Sequence, residues 1–206
     1  MNPNSFPTKG NLILAKNSLA LASQGYQLMD KKRNILIKEL MGLIEEAKDI
    51  QSEIDVTFTS AYKALQRANI ELGIDYVQDI AMAVPVDHTV KIKTRSIMGT
   101  EIPLAEYGEM PLNLTYAYYS TRASLDEARE QFEKVKKLTV RLSTVENSAY
   151  RLANSIKKTQ KRANALKNIT IPRYEALTRN INNSLEEKDR EEFTRLKVIK
   201  RNKNKI

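Results

Sequence analysis

The chain has no cysteine and no tryptophan, and its 206 residues include only six glycines, six prolines, four phenylalanines and one histidine, His88. Without cysteine there are no disulfides, no thiolate nucleophile and no cysteine-bearing zinc site. A lone histidine cannot build a histidine-rich metal site, and His88 is expected to have an ordinary surface or packing role. No glycine lies in a GxxxxGK[ST] loop, so phosphate cradling of the Walker kind is excluded. No uninterrupted apolar run approaches the ~18 residues of a membrane span. The opening "MNPNSFPTKGNLILAKNSL" has only a short apolar patch, which Lys16 interrupts, and so lacks the order of a signal peptide. The sequons at Asn113, Asn168 and Asn182 are then chance matches. The carboxylate pairs Glu45–Glu46 and Glu186–Glu187 lie beside lysines, as solvated helical faces do. No nucleophile–base constellation stands out, so neither catalysis by this chain alone nor a cofactor is expected.

What is present is charge and helix-forming residues. Charged side chains make up 29% of the chain, and the formal net charge is +9. This balance favours an acidic partner, whether nucleic acid, anionic lipid or an acidic protein surface. Few turn formers and few large aromatics favour long helices with a narrow seam over a wide core.

From Leu12 a row advances by alternating threes and fours through Leu19, Tyr26, Arg33, Leu36, Leu40, Leu43, Ala47, Ile50, Ile54, Phe58, Leu65 and Leu72. Only the step from Ile54 to Phe58 breaks the alternation. So long a heptad row predicts a coiled coil, and about 60 residues at ~1.5 Å each make a rod near 90 Å. Gly73 is a helix stop. A second row runs Leu125, Phe132, Val135, Leu138, Leu142, Val145, Leu152, Ile156, Ala163 and Leu166, with a wobble at Leu138. Beyond Pro172 it continues through Tyr174, Leu177, Ile181, Leu185, Leu196 and Ile199 in an eleven-residue rhythm, which relaxes a left-handed supercoil. Pro172 is therefore expected to mark a kink where the helix changes character, with Thr170 a cap if the break is complete.

Between the arms, "HTVKIKTRSIMGTEIPLAEYGEMP" alternates Val90, Ile92 and Thr94 against Lys91, Lys93 and Arg95, turns at Gly99 and resumes with Ile102 and Leu104. A short β-hairpin is expected, with Pro103 on an edge. "IDYVQDIAMAVP" suits a short helix, and Tyr116, Tyr118 and Tyr119 an aromatic cluster packed on this middle piece.

The expected architecture is dominated by α-helix: a long antiparallel two-helix coiled coil with a short β-hairpin and a short helix in its middle region. Its parts are an N-terminal arm over 1–73, a middle segment over 74–119 and a C-terminal arm over 120–206. Facing Leu72 with Leu125 sets partner numbers that sum to about 197, which places Gly25 opposite Pro172 and leaves roughly the last twenty residues unpaired. That overhang carries Arg195, Lys197, Lys200, Arg201, Lys203 and Lys205 with no acid among them. Its cations suit a helix C-terminus or contact with an acidic channel, and no aromatic residue interleaves with them as single-stranded nucleic acid would require.

Three stretches, "GYQLMDKKRNILIKELMGLI", "SIMGTEIP" and "RANALKNITIPRYEALTRNINNSLEEKDREEFTRLKVIK", resemble the D subunit of the V-type (vacuolar/archaeal-type) ATPases. The likeness spans nearly the whole chain, although the opening is less basic and the middle shorter than in that family. It implies a non-catalytic central rotor shaft that couples ATP hydrolysis or synthesis to rotation and to proton or sodium transport. Its terminal end would enter a ring of A and B subunits, which hold the nucleotide sites. Its other end would join the small F subunit of the rotor and a funnel-like docking subunit above the membrane ring. The resemblance implies a cytoplasmic protein, peripheral to the membrane through the complex, with neither nucleic-acid binding nor membrane insertion of its own. The alternative in another class is a basic coiled-coil adaptor for nucleic acid or anionic membrane.

Overall fold

A computed structural model describes residues 6–86, 88–108 and 116–203, with Tyr118 described for its backbone alone. Asn113, Lys205, the Tyr118 ring and the end of the hairpin stretch, residues 109–111, lie outside the described residues. In chain order the elements are α1 (Lys9–Leu72), α2 (Ile74–Ala83), β1 (Lys91–Ile97), β2 (Thr100–Glu106), a 3₁₀ turn (Tyr118–Ser120), α3 (Ala123–Ala165), a π-helical turn (Leu166–Thr170) and α4 (Ile171–Lys203). The protein is mainly helical, with antiparallel long helices and one hairpin.

Thr8 starts α1, its Oγ1 accepting the Asn11 N–H at 3.2 Å and so satisfying a first-turn amide. Gly73 ends the helix at φ 89°, a conformation that a side chain resists, and α2 begins immediately after it. The β1–β2 connection is a two-residue turn with both central residues at positive φ, Met98 at 49° and Gly99 at 74°. That is the turn whose twist matches paired strands.

The contacts divide into two compact units, residues 1–34 with 157–206, and residues 35–156. In the second, Leu36 and Leu152 are fully buried and pack with Ile102, flanked by Leu40, Leu43, Ile97 and Ile156. Ile50, Ile54 and Val145 form the next cluster with Leu142, Leu138 and Phe58. Ala68, Val77, Ile80 and Leu125 form a third, to which Leu65, Leu72, Tyr76 and Tyr116 are added. In the first unit Ala15, Ala22, Thr159, Ala163 and Ile181 are buried, and Leu166 is half-buried.

One expectation, the helix register, needs correction. The helix register departs from the even pairing anchored at Leu72 and Leu125. Near the anchor it is close, for Glu71 accepts a hydrogen bond from Ser124 and Tyr62 meets Phe132 edge-on. Farther along the same unit Glu46 pairs with Arg141, and in the other unit Gly25 faces Leu166 while Arg33 bonds Gln160. Even pairing assumes equal steps in both arms, whereas the double four at Ile54–Phe58 and the wobble at Leu138 interrupt them. The hairpin packs on the helices by one of its two faces. Cross-strand partners share a face, so Ile102 stands with Arg95 and Ile97 with Thr100, and this is the face that packs. Ile92 lies on the opposite face, 73% exposed, and Val90 ahead of the strand is exposed too.

Candidate interaction surfaces

The first surface is the end of α4. Every residue from Glu186 to Lys203 is exposed, although the row still supplies Leu196 and Ile199, and Phe193 lies beside it. These side chains keep the helical pattern without a facing helix to bury them. Arg195, Lys197, Lys200 and Arg201 lie on this stretch. An aromatic neighbour does exist, for the Lys197 ammonium lies 5.1 Å from the centre of the Phe193 ring, one helical turn away.

The second feature is the turn ahead of Pro172. Proline lacks the N–H that would bond the fourth residue back, and its ring crowds that carbonyl. The chain accommodates this by widening one turn: Leu166–Thr170 is π-helical, and the Ile171 N–H reaches back to the Leu166 carbonyl. The backbone stays helical on both sides, and the Thr170 hydroxyl bonds the Ala165 carbonyl at 3.4 Å instead of capping a new helix. Gly25 does not face the proline. A Cβ placed there would meet only Leu166 Cδ1, at an ordinary 3.7 Å. Gly25→Ala should therefore raise stability by up to about 1 kcal/mol, as alanine does for glycine inside a helix. Urea unfolding would show this as a higher midpoint, and a lower one would mean that the helices need the space.

The third surface lies where α1 turns into α2. Ile70 and Ile74 are exposed there, Met82 and Val86 at and beyond the far end of α2, and Tyr119 in the short turn before α3. Polar contacts brace it from behind: the Tyr76 hydroxyl bonds Ser120 at 2.5 Å, and Tyr116 donates to Asp126 at 2.6 Å beneath the Arg129 guanidinium. Burial, and then the Asp126 carboxylate, raise the Tyr116 pKa above the usual phenol value, so it remains a donor. Of the expected tyrosine cluster, Tyr116 packs and Tyr119 does not.

The fourth is the hairpin's attachment to the helices. Between them lies a cleft of about 370 Å³, lined by apolar Leu43, Ile102 and Val145 and by charged Arg95, Lys137 and Arg141. Among the described residues Glu46 is its one carboxylate, and it is held by Arg141 at 2.8 Å. Sequence reasoning missed this cleft, because its walls come from three separate segments. His88 is exposed. No grouping of metal-ligating side chains occurs among the described residues, and no described helix is long and apolar enough to cross a membrane.

Known proteins give this geometry a context. The family model for the D subunit of ATP synthase matches residues 11–201. The D subunit of the V-type ATP synthase of Thermotoga neapolitana is 45% identical over 194 residues, covering 94% of this chain and 96% of that protein. The D subunits of the A-type ATP synthases of Pyrococcus horikoshii and Thermococcus kodakarensis are each 38% identical over 197 residues, covering 94% of this chain and 92% of theirs. With a match along nearly its whole length, the chain belongs to the ATP synthase D-subunit family.

Proposed function

We propose that this chain is the central rotor shaft of a V/A-type rotary ATPase, coupling ATP hydrolysis or synthesis in a catalytic head to rotation and ion transport. The observation that carries the reading is the family match over residues 11–201, which takes in both long helices and the hairpin. The shaft itself is non-catalytic, and the nucleotide sites belong to the A and B subunits of the head. Packed seams around Leu36, Ile50, Ile54, Val145 and Leu152 suit torque, because bending the paired helices would open apolar clusters to water. The exposed end of α4 enters the ring. There Arg195, Lys197, Lys200 and Arg201 meet ring carboxylates through solvated pairs of roughly 0–1 kcal/mol each, weak enough to exchange at each step. The π turn before Pro172 sets the course of that segment as it enters, and so biases the ring asymmetrically.

The apolar surface at Ile70, Ile74, Met82, Val86 and Tyr119 docks on the funnel-like subunit above the membrane ring, and the small F subunit of the rotor binds the middle region. In this arrangement the protein is cytoplasmic and peripheral to the membrane through its complex. The basic-adaptor alternative rests on net charge alone. Native mass spectrometry of the chain with the purified catalytic ring and the F subunit is expected to show one copy of each per six-subunit ring. An unbound chain beside a competent ring and a competent F subunit would refute the shaft role.

A further inference from the structure

The two edges of the hairpin are treated differently. A two-residue turn joins Ile97 to Thr100, so the pairs Ile97–Thr100, Arg95–Ile102, Lys93–Leu104 and Lys91–Glu106 exchange the ladder hydrogen bonds. The residues between them turn their backbone groups outward. On β2 these are Glu101, Pro103 and Ala105, and α3 reaches one outward backbone group of each. Arg151 donates to the Glu101 carbonyl at 3.3 Å, the Ala105 N–H donates to Thr144 Oγ1 at 3.3 Å, and the Ser148 hydroxyl divides its one proton between the Pro103 carbonyl at 3.2 Å and the Thr144 carbonyl at 2.7 Å. Pro103 lacks an N–H at a position where the ladder needs none.

On β1 the out-turned residues are Ile92, Thr94 and Ser96. All three are exposed, the sheet ends at β1, and no described residue hydrogen-bonds their backbone. This leaves a straight row of donors and acceptors of the kind that accepts an added strand.

Charge narrows the choice of occupant. Lys91, Lys93 and Arg95 alternate with the open backbone positions along β1, and among the described residues only Lys93 has a carboxylate partner at the hairpin, Glu106 at 2.7 Å. Two β1 edges paired with one another would set cation beside cation, which is unfavourable and disfavours a second copy of this chain. A strand with carboxylates at the same positions would be stabilised. Arg95 also forms a wall of the cleft in which Lys137 and Arg141 outnumber Glu46, so cations bias the space beneath it as well.

We infer that the open edge of β1 is a strand-addition site for an extended, acidic segment of another subunit, carrying carboxylates opposite Lys91, Lys93 and Arg95 and an apolar side chain beside Ile92. The inference rests on the shaft reading, since the partner comes from the same assembly.

The test is amide hydrogen exchange over β1 in the free full-length chain and in the chain assembled with the other ATPase subunits. The amides of Ile92, Thr94 and Ser96 should exchange rapidly in the free chain and slow on the order of 100-fold on assembly, as newly paired strand amides do. Thr94→Pro removes one out-turned N–H opposite Pro103 without touching a ladder bond. It should weaken association roughly three- to tenfold while the amides of Lys93 and Arg95 stay protected in the free variant. Stoichiometric assembly with unchanged exchange at Ile92, Thr94 and Ser96 would overturn this inference and leave the shaft role standing. Failure of the wild-type chain to assemble would overturn both.

Discussion

Leu152→Ala is expected to lower stability by about 3 kcal/mol, within the range for a leucine removed from a closed site. Leu152 is 0% exposed and packs with Leu36, itself 0% exposed, and with Ile102 from the hairpin. Three chain segments meet at this point, so collapse of one helix onto the cavity would pull it away from the others. Urea titration of the full chain should show a lower midpoint with an unchanged slope, meaning lost stability without a change in the surface exposed on unfolding. The control is Ile92→Ala. At 73% exposure that side chain should contribute no more than about 0.5 kcal/mol. Equal losses from the two variants would mean that the hairpin packs by its other face.

Deleting residues 186–206 should have the opposite profile. From Glu186 to Lys203 no residue is buried or half-buried, so the isolated chain should lose less than about 0.5 kcal/mol. The effect belongs to the assembly. Loss of Arg195, Lys197, Lys200 and Arg201, at up to about 1 kcal/mol for each solvated pair, should weaken binding to the catalytic ring by about tenfold or more. The difference between full-length and truncated chains should shrink as salt is raised, because these contacts are exposed to screening. A salt-independent loss would assign the tip's contribution to Phe193, Leu196 and Ile199 instead. A truncated chain that binds the ring as tightly as the full chain would remove the tip from the head contact altogether.

The positions of the long helices were legible because each seam repeats a local rule many times. Leu36, Leu40, Leu43, Ile50 and Ile54 lie on one stripe, Leu142, Val145, Leu152, Ile156 and Leu166 on another, and all ten are buried or half-buried. Gly73 and Gly99 were legible for a different reason, since a stop and a turn at positive φ both favour glycine. The exposed tip followed from counting, as one arm is longer than the other.

Register was not legible to the residue. Interrupted heptads in each arm shift the pairing, and only the packed helices show that Gly25 meets Leu166 and that Glu46 meets Arg141. The hairpin's orientation was not legible either, because alternation along β1 identifies two faces without saying which is covered. Ile97 and Ile102 decide that by closing on Leu36 and Leu152, and Ile92 is left outside. The π turn was likewise invisible: a proline signals that a hydrogen bond is lost, but neighbouring packing selects between a break and a widened turn. By itself the sequence determined the helices, the turn residues, the charge and the family, because each is written in local spacing and residue type. Tertiary structure alone decided register, the buried face of the hairpin and the open edge of β1, because those depend on which distant surfaces fill one another's space.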